Sequence, residues 1–252
     1  SRTSNNFIAE IIRRNFSVYW WVRYLDFWNR WVPGGSIHCR PSSDSGSRDL
    51  NGNLERAKKS FPFLKAEVDK GENWLRQFGW RDGELFVCLL VRDKAYLDHF
   101  NELEDGRWRY HDYRNTDVAN YEPAALWLAN QGVWVLRMGR IMEKPLTINH
   151  PRIIDYPFQK NQSDFLDVWL FANCYFCISN GSGPDMVSDI FRRPLLFLDY
   201  IPLRNLISWS NATHIPKGLF WKSSGKQLTL GEYFEHAYHS TDEYHRAGII
   251  IK

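Results

Sequence analysis

The sequence predicts an α/β fold: a mostly parallel, Rossmann-like sheet with helices on both faces. Three observations carry this. Between residues 84 and 200, strand-like apolar runs alternate with helix-like runs. The strand runs are apolar throughout, as strands covered on both faces are. Each also ends in charged or small residues, at the edge where open parallel sheets bind ligands. With 252 residues, 44% hydrophobic and 16% aromatic, the chain can fill one large core or two small ones.

The elements follow in order. The run FSVYWWVRYLDFWNRW spaces Phe16, Tyr19, Trp20, Arg23, Tyr24, Phe27, Trp28 and Trp31 as a helical stripe of aromatics. Arg13, Arg14, Arg23 and Arg30 accompany it. Such a stripe suits an interfacial helix on an anionic membrane or a helix packed on the core or a partner domain; packing is the expectation. Residues 41–53, rich in Ser, Gly, Asp and Asn, read as a loop. Short helices are expected near 53–60 and 66–78, the second ending at Gly79. ELFVCLLVRD is the first strand. A long polar stretch follows, too long for a simple connection and therefore a functional candidate. DVANYEPAALWLANQG is a helix, VWVLRMG a strand and RIIDY a short third strand. SDFLDVWLFAN is a helix with Ser163 as N-cap, CYFCIS a fourth strand, PDMVSDIFRR a helix and PLLFLDY a fifth strand. Beyond Ile201, loops and one helix near 230–239 are expected. This divides the chain into a helical region, 1–80, and a Rossmann-like domain, 81–252.

In a parallel sheet the residues after each strand share one rim. They are Arg92 and Asp93; Arg137 to Arg140; Asp155; Ser179 to Gly183; and Asp199. The abrupt change from CYFCIS to NGSGP is the strongest local signal. A strand that stops in small residues before a helix leaves amide hydrogens for an anion, aided by the helix dipole. Gly181 and Gly183 allow close approach, the hydroxyls of Ser179 and Ser182 can hydrogen-bond, and Pro184 suits a first helical turn. Arg92 and Arg137 would add guanidinium groups for phosphate oxygens, unless they pair with Asp93 or Asp155. Neither a Walker A loop nor a G-x-G-x-x-G after the first strand is present, which argues against NTP hydrolysis and NAD chemistry.

Composition narrows the classes further. A net charge of +3 without a dense basic block argues against a nucleic-acid partner. Cys174 and Cys177 form a C-x-x-C without a second ligand pair for zinc. Placed inside a strand, their thiols would point to opposite faces, so they read as structural thiols of a reducing compartment. No signal peptide or membrane-length apolar run is seen, and a cytoplasmic location, with peripheral membrane contact as an alternative, is expected. The chain starts at Ser1 rather than Met, as a fragment or processed chain would.

The blocks VCLLVRDKAYL, HDYRNTDVANYEPA, VWVLRMGR, IIDYP, SDFLDVWLFANCYFCISNGSG and RRPLLFLDYIPL occur in that order. Together, over roughly residues 67–235, they resemble a family of bacterial proteins classed as glycosyltransferases and associated with surface-polysaccharide clusters. The strand-then-Arg element and the late Ser/Gly turn distantly resemble the GDP-fucose-binding half of GT-B fucosyltransferases. The resemblance implies a GT-B-type transfer of sugar from a nucleoside-diphosphate sugar to a glycan or glycolipid acceptor. Arg92, Arg114, Arg137, Asp164, Ser179, Gly181, Ser182 and Gly183 would bind the donor. Asp93, His111 and Asp112 are candidates for the base that takes the acceptor proton; loop hydrogen bonding is the alternative for each. No D-x-D motif ends a strand, so no obligatory metal or other cofactor is expected. A complete GT-B enzyme has two Rossmann-like domains, and only about 80 residues precede the first strand here. A non-catalytic nucleotide- or sugar-binding module is the competing expectation.

Overall fold

A computed structural model describes residues 4–17, 19–38, 52, 56, 61–95, 109–206 and 211–252, without the side chains of 38 and 109–111. The loop expected over 41–53 and the helix near 53–60 lie almost entirely outside the described residues. So does most of the long polar stretch before residue 109.

Six strands form one parallel sheet: β1 (Phe86–Leu90), β2 (Trp134–Arg137), β3 (Ile153–Asp155), β4 (Cys177–Ser179), β5 (Leu195–Phe197) and β6 (Ala212–His214). Their spatial order is β3-β2-β1-β4-β5-β6. In register, β1 sets Leu89 beside Arg137 of β2 and Leu90 beside Ser179 of β4. The chain runs outward from β1 to β3, then returns to lay β4 on the other side of β1. The crevice between the ends of β1 and β4 is thus the point where the winding reverses.

The expected apolar character of β1 has a simple cause. Phe86, Cys88 and Leu90 enter one core, and Val87 and Leu89 enter the core on the opposite face. The first core also takes Phe7 and Ile11 from α1 (Asn6–Asn15) and Trp74 and Leu75 from α3 (Lys65–Arg76). The regions on either side of residue 80 therefore share buried side chains. The opposite core is closed by Ala125 of α4 (Glu122–Asn130) together with Val118 and Tyr121. Helix α5 (Asp164–Asn173) begins at Ser163, whose hydroxyl accepts the Leu166 N–H at 3.2 Å, as its sequence predicts.

Three expectations need correction. The aromatic stripe is not one helix. It is interrupted before a short α2 (Val22–Asn29), in which no residue is buried, so α2 does not pack on the core. The run CYFCIS is not all strand. Cys174 is the C-cap of α5, which ends at Asn173 as expected, and β4 opens only at Cys177. The tail after Ile201 is more ordered than loops and one helix. It contributes β6 and an antiparallel pair, β7 (Leu219–Trp221) with β8 (Ile249–Ile251). Helices α7 (Leu230–Glu235) and α8 (Thr241–Arg246) lie between them in sequence, and Tyr233 and Tyr244 share a third core with Leu219 and Ile249.

Candidate functional site

A cavity of about 540 Å³ opens at the β1–β4 crevice, within the size range of small-molecule sites. Leu90, Arg92 and Asp93 line it from β1, and Met138 to Met142 from the end of β2. Asp167 and Val168 of α5 form another wall. Ser182, Gly183 and Pro184 form the wall after β4, and Asn5 and Ile8 the side nearest α1. Arg92, Asp93, Ser182 and Gly183, expected from sequence to share a crevice, do share it.

The turn after β4 is built around a carboxylate that sequence reading passed over. Asp185 is buried and accepts the Ser179 hydroxyl at 2.6 Å and the Ser182 N–H at 2.7 Å. Burial pushes its carboxyl up to about 6, against the opposing pull of these donors and of Arg114. Two groups expected to grip a bound anion are therefore engaged by the chain's own side chain. Ser179 is fully buried and, like Gly181, is not among the residues lining the cavity. The signal was present, since an acidic residue three positions after Ser182 is the spacing of a capping box. The helix that follows, α6 (Met186–Ile190), is also short.

Asn180, within the Ser179 to Gly183 turn expected on the rim, ties three segments together. Its Oδ1 accepts the Arg92 N–H at 3.0 Å, and its Nδ2 donates to the Arg114 carbonyl at 3.1 Å. The Arg114 guanidinium donates to the Gly181 carbonyl. The HDYRN segment thus lies against the turn, though Arg114 does not line the cavity. Gly181 has φ +81°, and a Cβ there would lie 2.8 Å from the Tyr200 ring. Lys217 holds the same segment from its other side, donating to the Asn115 carbonyl at 2.7 Å and the Tyr113 carbonyl at 3.2 Å. Burial pulls its pKa below the usual lysine value.

Arg137 is fully buried. Its Nη1 donates to the Lys144 carbonyl at 2.6 Å and lies 3.3 Å from Asp155 Oδ1, while Nη2 is 3.9 Å from Asp93 Oδ2. It braces the ends of β2 and β3 and is not on the cavity wall, so the ion-pair alternative describes its position. Arg140, in the same RMGR run, lines the cavity and donates to Asp164 Oδ1 at 2.7 Å. Asp164 is not placed toward the cavity as expected. Its Oδ2 accepts the Asn6 N–H and Nδ2, each at 2.8 Å, so it pins the start of α1 to the start of α5.

The base candidates separate. Asp93 accepts the Ala95 and Glu143 N–H groups, each at 3.0 Å. It lines both the main cavity and a neighbouring polar cavity of about 330 Å³ that includes Asn115, Asp117 and Lys144. Asp112 is exposed and accepts from its neighbour Asn115 at 3.2 Å, as in the loop-bonding alternative. The His111 side chain lies outside the described residues. Asp167, which with Asp164 opens the SDFLD helix and was expected as one of two carboxylates able to reach a donor hydroxyl, lines the cavity and accepts the Tyr156 hydroxyl at 2.7 Å; burial raises its pKa. Among the described residues, no three His, Cys, Asp or Glu side chains group as a metal site.

The parallel sheet and the cavity at its winding reversal define a doubly wound, Rossmann-like protein. No protein-family model matches the chain, and no curated protein matches it in sequence. Among solved structures it is similar to ADP-heptose LPS heptosyltransferase II of E. coli, at 18% identity and a TM-score of 0.41. The likeness covers 62% of this chain and 44% of that one. The chain therefore spans less than half the length of that protein, and the fold assignment rests on the sheet itself. The family resemblance of the HDYRN, RMG and SDF–GSG blocks has no family model behind it and stays an expectation.

Proposed function

We propose that the protein binds a nucleoside-diphosphate sugar in the β1–β4 cavity and transfers the sugar to a glycan or glycolipid acceptor. The observation that carries this reading is the position of the cavity: a ligand-sized space at the winding reversal, bordered by two arginines and a glycine-bearing helix start. Arg92 and Arg140 would pair with the diphosphate, and Ser182 and Gly183 would approach it closely. Met138, Met142 and Phe171 offer apolar surface to the rest of the donor. In an inverting transfer, the acceptor oxygen bonds to the anomeric carbon as the sugar–phosphate bond breaks. The bonding pair leaves with the nucleoside diphosphate, and the acceptor proton passes to a carboxylate. Asp167 suits that task because burial raises its pKa; Asp93, which lines the same cavity, is the other candidate. Guanidinium groups would stabilise the departing phosphate charge, the role that otherwise calls for a metal.

A binding module without turnover is the second reading. It is favoured by the engagement of Ser179, Asp164 and Arg137 in internal bonds, which leaves few polar groups for chemistry. Thermal-shift screening with UDP, GDP, ADP and CDP and their sugars tests binding. A true ligand stabilises by about 2.7 kcal/mol at a hundredfold excess over its Kd. Release of nucleoside diphosphate from the stabilising sugar donor, with an acceptor glycan present, supports transfer; stabilisation without release supports the module.

A further inference from the structure

The segment from Phe16 to Ile37 leaves its large apolar side chains in solvent. Trp20 and Trp31 are each 74% exposed, Trp28 63% and Ile37 81%. A soluble surface rarely shows so much contiguous aromatic area without a use. Apart from Phe16, which meets Phe61 at 5.7 Å, the rings meet one another: Tyr19 stacks on Trp21 at 5.2 Å, Trp20 meets Tyr24 at 5.9 Å and Phe27 meets Trp28 at 5.5 Å. Helix α2 has only eight residues and buries none of them. So short a helix is marginal in water by itself, so a covering surface would add stability that the described residues do not supply.

We propose that this segment docks the protein on an anionic membrane surface, lying in the headgroup layer. Helical spacing puts Tyr24, Leu25, Phe27 and Trp28 on one arc of α2 and Arg23, Asp26 and Arg30 on the other. This is the pattern of a helix that lies in an interface with its apolar arc in the acyl boundary. The ring types agree, because Trp and Tyr combine an apolar body with a polar tip and concentrate where one end is wet. The charge agrees as well. Arg30 is paired with Asp26 at 3.2 Å, whereas Arg13 and Arg23 have no carboxylate within ion-pair distance among the described residues, leaving positive charge to face anionic headgroups. The helix lies on the surface and does not cross it: among the described residues, no helix is long and apolar enough to span a membrane.

Vesicle co-sedimentation of the full chain tests this. Vesicles of phosphatidylcholine with about one third phosphatidylglycerol should bind the protein, and pure phosphatidylcholine should bind it much less. A Trp20→Ser, Trp28→Ser, Trp31→Ser variant should lose at least about tenfold in partitioning, and Arg23→Glu should lose severalfold, mainly at low salt. Because these side chains are exposed, both variants should keep the wild-type melting temperature, which separates lost docking from misfolding. Binding to neither vesicle type, equal binding to both, or equal binding of wild type and variants would overturn the proposal. So would self-association by light scattering that the triple variant abolishes while vesicles bind nothing, which would assign the patch to a second copy of the chain.

Discussion

Asp185 shows how one side chain can both build a site and limit it. Its carboxyl gathers the donors at the start of the turn, and burial lifts its pKa from 3.8 to about 6. An acid with a raised folded pKa holds its proton more tightly in the folded state. Its contribution is fully present below pH 3.8 and is lost as pH rises to about 6. The cost is then constant and comes to about 3 kcal/mol at 1.36 kcal/mol per unit. Asp185→Asn should remove this dependence, so that chemical-denaturation stability measured from pH 4 to 7 falls less steeply than in the wild type. Arg137 behaves differently. Removing it by Arg137→Ala leaves Asp155 and Asp93 without their buried cation and should cost about 3–5 kcal/mol in the same measurement at neutral pH. That loss would reflect folding, because Arg137 does not line the cavity. Arg92→Ala and Arg140→Ala should instead weaken nucleotide binding by about tenfold to a hundredfold, the worth of a charge-assisted hydrogen bond, with smaller effects on melting.

Between elements, close packing decides the sign of a substitution. Gly71 of α3 faces Trp169 of α5, and a Cβ at Gly71 would sit 2.2 Å from the indole. Alanine in a helix normally stabilises relative to glycine, but here overpacking should win and cost about 1–3 kcal/mol. Gly231, in α7, has no heavy atom within 4 Å of such a Cβ, so Gly231→Ala should stabilise by about 0.4–1 kcal/mol. Thermal melts of the two variants should shift in opposite directions. Glu84 joins strand starts at the edge away from the cavity, accepting from Trp134 Nε1 at 2.9 Å and Arg152 Nη2 at 2.8 Å. The Arg81 N–H, Trp134 and Arg152 hold its carboxyl down at about 2. This contribution is present above pH 4.5 and is lost as pH falls toward 2. Glu84→Gln should therefore lose stability at neutral pH and flatten its acid limb. The strands and main helices were legible because each apolar run is long for its element and ends in a clear signal, such as Ser163 before α5. The CYFCIS run misled because Cys174, Tyr175 and Phe176, though β-prone, only lead from the end of α5 at Asn173 into β4, which opens at Cys177.

Across the whole molecule, sheet type followed from alternation alone, but the strand order needed tertiary contacts: nothing in β4 itself says that it returns to the side of β1. The rim was legible in outline. Arg92, Asp93, Ser182 and Gly183 meet there because every parallel strand sends its C-terminal end to one edge. Which arginine faces the cavity was not legible. Arg137 and Arg140 stand three residues apart in one motif, and the nearness of Asp155 and Asp93, set by pairing of β1, β2 and β3, draws Arg137 inward. Which of Asp164 and Asp167 faces the cavity was not legible for a related reason, as the depth of Asp167 beside Tyr156 depends on how α5 packs. The most direct measurement is titration calorimetry of the full chain with nucleoside diphosphates, in the wild type, Arg92→Ala and Arg140→Ala. Saturable 1:1 binding of at least one nucleotide to the wild type, weakened about tenfold or more by each substitution, is the predicted result. No heat with any of them, or equal affinity in all three proteins, would contradict a diphosphate site between β1 and β4.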